Sequence, residues 1–249
     1  IVKANTFGIN PFKMEGTGYT CEELTKKGIA LVKRAIAETG KKAYTALDIG
    51  SLGKLLEPLG ELPFEEAYEA FKPVCIAGEQ AGADLVLIET MNDTYEIKAA
   101  VLAAKENTNL PIVVTMVFDE SGKLLTGADM EAAVAMLEGL RVDAIGLNCG
   151  FGPDVMKEFL PKLREVCSVP IVVNPNAGLP VVVDGKTCFH VGPEEFASIM
   201  TEIAEEGISV MGGCCGTTPA HIKALVESCK GKKPLELFDK GRSVVSSYT

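Results

Sequence analysis

The chain has 249 residues, 47% of them apolar and 23% charged, with a formal net charge of −10. That length suits one α/β barrel or two smaller domains, with ample apolar content for a packed core. The acidic balance argues against non-specific binding to nucleic acid or to an anionic membrane surface, and no apolar run is long enough to span a bilayer.

Strand-like and helix-like segments alternate along the chain. Ile1 to Phe7 reads as a strand. Cys21 to Glu38 reads as a helix, with Thr20 as its N-cap and Gly40 as its stop. Lys42 to Ile49 is the second strand and Phe64 to Ala81 the next helix. Leu85 to Thr90 is a strand, followed by a helix from Asp93 to Asn107. Pro111 to Phe118, Ala144 to Asn148, Pro170 to Asn174 and Ile208 to Met211 complete the strands. Helices are expected over Gly127 to Gly139, Pro153 to Val166, Pro193 to Glu206 and Pro219 to Ser228.

The strand runs are continuous and rich in Val and Ile, as in a parallel sheet buried on both faces. The repeat of about 30 residues fits the strand–helix unit of a (β/α)₈ TIM barrel. A doubly wound open sheet is disfavoured, because no Gly-rich dinucleotide loop follows the first strand. Seven units are counted and a barrel needs eight, so the first unit is expected ahead of Ile1. The barrel is expected over residues 1–229. Residues 230–249 read as a polar linker too short to be a domain.

In such barrels the chemistry sits at the C-terminal ends of the strands. Polar residues expected there include Asn5, Thr6, Asp48, Glu89, Asn148, Asn174 and Asn176, together with Cys149, Cys214 and Cys215. No lysine is expected at the end of a core strand, which disfavours an aldolase-like barrel.

Eight cysteines are scattered through a chain too large to need disulfide staples, which indicates a reducing, cytoplasmic setting. Cys75, Cys167 and Cys229 lie in helical patterns and read as small core residues. Cys214 and Cys215 are adjacent, flanked by Gly212, Gly213 and Gly216, on a turn that leads from a strand into a helix beginning at Pro219. Cys149 occupies a similar turn after another strand. Three thiols so placed can converge on one metal ion; two buried core thiols plus an unrelated third is the alternative.

Thiolates select zinc, copper(I) or iron–sulfur clusters, and three protein ligands leave the fourth tetrahedral position for a substrate. A zinc ion on three thiolates is electron-rich, better suited to holding a substrate thiol as thiolate than to making hydroxide. The reaction class is therefore attack by a metal-held thiol on an electrophilic carbon. His190 and His221 are assigned no chemistry. The carboxylate pairs Glu65-Glu66, Glu194-Glu195 and Glu205-Glu206 read as solvated helix faces.

Three strings carry a resemblance: Ile145 to Pro153 (Ile-Gly-Leu-Asn-Cys-Gly-Phe-Gly-Pro), Pro175 to Pro180 (Pro-Asn-Ala-Gly-Leu-Pro) and Gly212 to Pro219 (Gly-Gly-Cys-Cys-Gly-Thr-Thr-Pro). With Ala4-Asn5-Thr6-Phe7-Gly8, they resemble the homocysteine-binding module of cobalamin-dependent methionine synthases. The Pro175 to Pro180 string is more similar to that branch than to the betaine or S-methylmethionine branches. The tail Ser243 to Tyr248 is similar to the linker that leads into the folate-binding barrel of those enzymes.

The resemblance implies Zn²⁺ on Cys149, Cys214 and Cys215, and transfer of a methyl group from methylcobalamin to homocysteine, giving methionine. It implies Glu89 for the substrate amino group, Asn148 as a contact beside the metal, and the Ala4, Asn5 and Thr6 loop for the substrate carboxylate. No catalytic residue beyond the zinc site is implied. The implied partners are a cobalamin-binding domain or corrinoid protein and a folate-binding domain. A different methyl donor, or a non-catalytic thiol- or zinc-binding role, is the alternative. The family pattern has Glu-Thr where this chain has Lys3-Ala4, which changes the contacts of that loop.

Overall fold

The structure is a computed structural model and describes residues 1–247; Tyr248, at the end of the linker-like tail, and Thr249 lie outside the described residues. Seven strands follow one another in chain order in one sheet, with helices alternating between them. This is the arrangement expected of βα units. The chain divides into two compact units, residues 1–114 with 139–143, and residues 115–138 with 144–247.

The first unit holds β1 (Val2–Lys3), α1 (Pro11–Met14), α2 (Cys21–Thr39), β2 (Thr45–Ile49), α3 (Phe64–Gln80), β3 (Leu85–Met91), α4 (Thr94–Asn107) and the start of β4 (Ile112–Met116). β1 pairs with β2 and β2 with β3, both parallel. The helix starts are those that polar caps dictate. Thr20 and Glu23 form a reciprocal capping box on α2, and Asp93 accepts from the Tyr95 N–H at the start of α4. Gly40 ends α2 in the left-handed conformation. Leu47, Ile49 and Ile88 from the sheet are buried, as are Phe71, Val74 and Cys75 on α3 and Ile97 on α4. Each such side chain contributes roughly 1.5–3 kcal/mol by leaving water.

The second unit holds the rest of β4, α5 (Met130–Gly139), β5 (Ala144–Asn148), α6 (Pro153–Val166), β6 (Ile171–Asn174), β7 (Val181–Val183), β8 (Lys186–Cys188), α7 (Pro193–Glu205), β9 (Val210–Met211) and α8 (Pro219–Ser228). β5 pairs with β6 and β6 with β9, again parallel. The strands approach closely: a Cβ on Gly146 would lie 1.9 Å from the Val172 carbonyl oxygen, so β5 requires glycine there. Leu147, Val173, Leu160, Phe196, Met200 and Leu225 form the buried interior of this unit.

Two expectations need correction. β1 covers only Val2–Lys3, because the Thr6 N–H turns back to the Ala4 carbonyl (2.8 Å) and ends the ladder. Lys3 is therefore the last residue of a strand, where no lysine was expected. β7 and β8 form an antiparallel hairpin absent from the sequence reading. Residues 230–247 carry no helix or strand but are tied to the second unit, with the Leu235 N–H donating to the Gly207 carbonyl (3.3 Å) and Arg242 paired with Glu131 (3.0 Å). Among the described residues, no helix is long and apolar enough to cross a membrane.

Candidate metal centre

Cys149 directly follows β5, in the second unit, in the left-handed conformation at φ 59°. A non-glycine residue pays on the order of 1 kcal/mol or more for that conformation, which persists where surrounding bonds enforce it. Here the Cys149 N–H donates to the Asn174 carbonyl at the end of β6 (3.1 Å), and the Phe151 N–H donates back to the Cys149 carbonyl (2.7 Å). Phe118, Phe151, Met156 and Phe159 line an apolar pocket beside Cys149.

Cys214 and Cys215 sit on the turn between β9 and α8, and the backbone N–H and carbonyl of both cysteines are bonded. The Cys214 N–H donates to the Pro175 carbonyl (2.8 Å), and the Ala177 N–H donates to the Cys215 carbonyl (2.9 Å). The Cys215 N–H donates to Asn176 Oδ1 (3.0 Å), and Thr217 Oγ1 donates to the Cys214 carbonyl (2.7 Å). Gly216 completes the turn at φ 79°, where a Cβ would lie 2.2 Å from the Phe189 ring. The segment after β6 thus forms the mould for the cysteine pair. His221 anchors the helix that follows. Its Nε2 lies 2.9 Å from the Val191 carbonyl and its Nδ1 accepts from the Thr218 N–H, which fixes the neutral tautomer with the proton on Nε2. His221 is a structural tie, and His190 is exposed in the preceding loop.

The three sulfurs converge. Cys149 and Cys215 Sγ are 3.9 Å apart, Cys214 and Cys215 Sγ are 4.0 Å apart, and all three lie within 4.8 Å of one another. Sulfurs sharing a tetrahedral zinc at about 2.3 Å stand about 3.8 Å apart, so the donor set fits such an ion in type, number and spacing. All eight cysteines are free thiols. Hydrogen bonding from Cys214, with lesser help from Gly150, Cys215 and Asn176, holds Cys149 down at about 5 against its burial. Burial and then the charge of Cys149 push Cys215 up. One thiolate is therefore already present at neutral pH. Asn148, fully buried, places Nδ2 3.8 Å from Cys214 Sγ. By contrast Cys75 is sealed in the core and pushed up to about 12, as a structural thiol should be.

The first unit carries a separate polar cluster at the C-terminal ends of its strands. Lys3 Nζ lies 2.7 and 2.9 Å from the two carboxylate oxygens of Glu89. Asp48, buried, is pushed up to about 8 by desolvation, then by the charge of Glu89, with Lys3 pulling the other way. Of the Ala4 to Thr6 loop, Ala4 and Thr6 are buried: the Ala4 N–H donates to the Ala46 carbonyl, while Thr6 Oγ1 donates to the Asp48 carbonyl (2.7 Å) and accepts from the Asp48 N–H (3.0 Å). Asn5 between them is exposed.

The structure brings Cys149, Cys214, Cys215 and Asn148 together in the second unit, and Glu89 with Lys3 in the first, while Ala4 and Thr6 bond to the β2 backbone. Sequence reasoning missed the moulding role of Asn176 and the pairing of Lys3. Asn176 belongs to a quoted string, so its signal was present. Lys3 was visible only as a departure from the family pattern.

Residues 1–229 match the family described as homocysteine S-methyltransferase. The chain is 34% identical over 259 residues to a methionine synthase of Mycobacterium tuberculosis, covering all of this chain and 22% of that protein. It is 34% identical over 233 residues to a methionine synthase of Mycobacterium leprae, covering 90% of this chain and 19% of that one. The chain thus spans about a fifth of the length of these curated relatives. In fold it is similar to the metallated form of the homocysteine methyltransferase MmuM from Escherichia coli, with a TM-score of 0.73 at 23% identity, over 90% of this chain and 77% of that one. The chain belongs to the homocysteine S-methyltransferase family.

Proposed function

We propose that the chain is the acceptor-binding module of a methyltransferase: Cys149, Cys214 and Cys215 hold Zn²⁺, and homocysteine is methylated at sulfur to give methionine. The observation that carries this reading is the three sulfurs within 4.8 Å of one another, from turns 66 residues apart. When bound, the zinc ion supplies a Lewis acid that keeps an incoming thiol deprotonated near neutral pH.

The chain's own residues do the rest. Cys149 enters as thiolate, so loading the metal displaces fewer protons than three ordinary thiols would. Asn176, Pro175 and Thr217 hold the Cys214–Cys215 turn in place before any metal arrives. Asn148 Nδ2 approaches Cys214 Sγ and draws off some of its electron density. The aromatic wall of Phe118, Phe151 and Phe159 limits water beside Cys149. Glu89 is assigned the substrate ammonium, and the Ala4, Asn5 and Thr6 stretch its carboxylate, Asn5 being the exposed member.

The methyl donor is assigned as methylcobalamin on a separate domain or corrinoid protein, with a folate-binding domain beyond the 230–249 linker. The Pro175 to Pro180 string and relatives about five times as long support that assignment. The setting is assigned as cytoplasmic, in keeping with eight free thiols. The test is metal content and turnover together. The wild-type chain should carry one zinc and consume methylcobalamin only with homocysteine present; Cys149→Ala and Cys215→Ala should lose both. Full zinc retention in either variant rejects the ligand set.

A further inference from the structure

Lys3, Asp48 and Glu89 come from three neighbouring parallel strands at one end of the first unit. The register sets Lys3 beside Ala46 on β2 and Asp48 beside Leu87 on β3, so all three side chains reach the same few ångströms. Lys3 Nζ bonds both oxygens of Glu89, at 2.7 and 2.9 Å. The two partners differ in freedom. The Glu89 side chain is 6% exposed and fixed, whereas that of Lys3 is 35% exposed and can turn into water. Asp48 Oδ1 is buried and has no hydrogen-bond partner, an acceptor left over in a site that otherwise accounts for its polar groups.

We propose that Lys3 is a specificity-determining residue: its ammonium occupies the carboxylate of Glu89 and must yield it to the ammonium of an amino-acid thiol. This rests on the assignment of Glu89 to the substrate amino group. A lysine ammonium and an α-ammonium offer the same three N–H donors and the same charge, so the exchange is like for like. The resident cation is tethered, so it competes at high local concentration. With Lys3 seated on Glu89, Asp48 Oδ1 stays without a hydrogen-bond partner, which leaves an acceptor for an incoming α-ammonium. Since burial keeps Asp48 largely protonated at neutral pH, the carboxylates carry one negative charge between them and cannot hold two cations equally. The consequence is selective. Lys3 weakens every acceptor that bears an ammonium and leaves one that lacks it untouched.

The test is calorimetric titration of the zinc-loaded chain with L-homocysteine and with 4-mercaptobutanoate, the same thiol acid without its amino group. Lys3→Met should tighten homocysteine by about threefold to fivefold, the upper part of the range for releasing one partly exposed ion pair. It should leave 4-mercaptobutanoate within about twofold of wild type. Lys3→Arg keeps the cation and adds a bidentate fork, so it should bind homocysteine no more tightly than wild type. The proposal is overturned if Lys3→Met leaves homocysteine unchanged or weakens it, if both thiols shift together, or if Lys3→Arg tightens homocysteine. If neither thiol binds any zinc-loaded form, the acceptor assignment itself fails and this inference falls with it. That pattern is distinct from binding without an effect of Lys3.

Discussion

The sulfur atoms of Cys149 and Cys215 stand 3.9 Å apart although 66 residues separate them in the chain. Two unrelated turns, one after β5 and one after β9, deliver them. The parallel pairing of β5 with β6 and of β6 with β9 brings those strand ends together. The loop after β6 locks the second turn through Pro175, Asn176 and Ala177.

Asn176 is the side chain of that loop that grips the cysteine pair directly. Asn176→Ala removes the acceptor of the Cys215 N–H, a part-buried bond on an exposed residue, at a cost of about 0.5–1.5 kcal/mol. Zinc affinity should fall about tenfold or more, as for other residues that orient ligands. Competition with a chromophoric chelator measures it; an unchanged affinity would mean that the turn holds its shape without Asn176.

In the metal-free chain, Cys149 should be the first thiol alkylated by iodoacetamide. It is half-buried and held at about 5, so its rate should level off above about pH 6 rather than climb through pH 9. Cys75, buried and pushed up to about 12, should stay unmodified. Peptide mass spectrometry across a pH series reads both. An inflection for Cys149 near 8–9 would show that Cys214 and Cys215 do not hold it as thiolate.

Asp48 gives a stability signature of the opposite sign. Its pKa is raised from 3.8 to about 8 on folding, so the folded state holds a proton that the unfolded chain releases. That contribution is fully present below about pH 4 and is lost as pH rises through about 8. Asp48→Asn cannot ionise, so it should gain stability relative to wild type between pH 5 and pH 9, by at least about 1 kcal/mol. Urea unfolding at the two pH values tests this; parallel changes in the two proteins would contradict it.

Most of the architecture was legible because buried parallel strands write themselves as Val- and Ile-rich runs, and because Thr20, Asp93 and Pro219 mark helix starts. The cysteine triad was legible from two glycine-flanked turns at strand ends. The β7–β8 hairpin was legible but missed. Val181 to Cys188 carries Asp184-Gly185 after a run of three valines, and both residues take positive φ, 50° and 73°, as a type I′ turn requires. The Lys3–Glu89 pair was not legible, since it depends on the register of three strands and on β1 stopping at Lys3. No spacing rule joins residues 86 positions apart.

The central claim is a three-sulfur metal site that accepts the substrate thiol, and X-ray absorption at the zinc edge tests it most directly. The zinc-loaded chain should show three sulfur neighbours at about 2.3 Å and one lighter neighbour, and adding homocysteine should replace the lighter one with a fourth sulfur. Fewer than three sulfurs before addition, or no change in the sulfur count after it, would contradict the account.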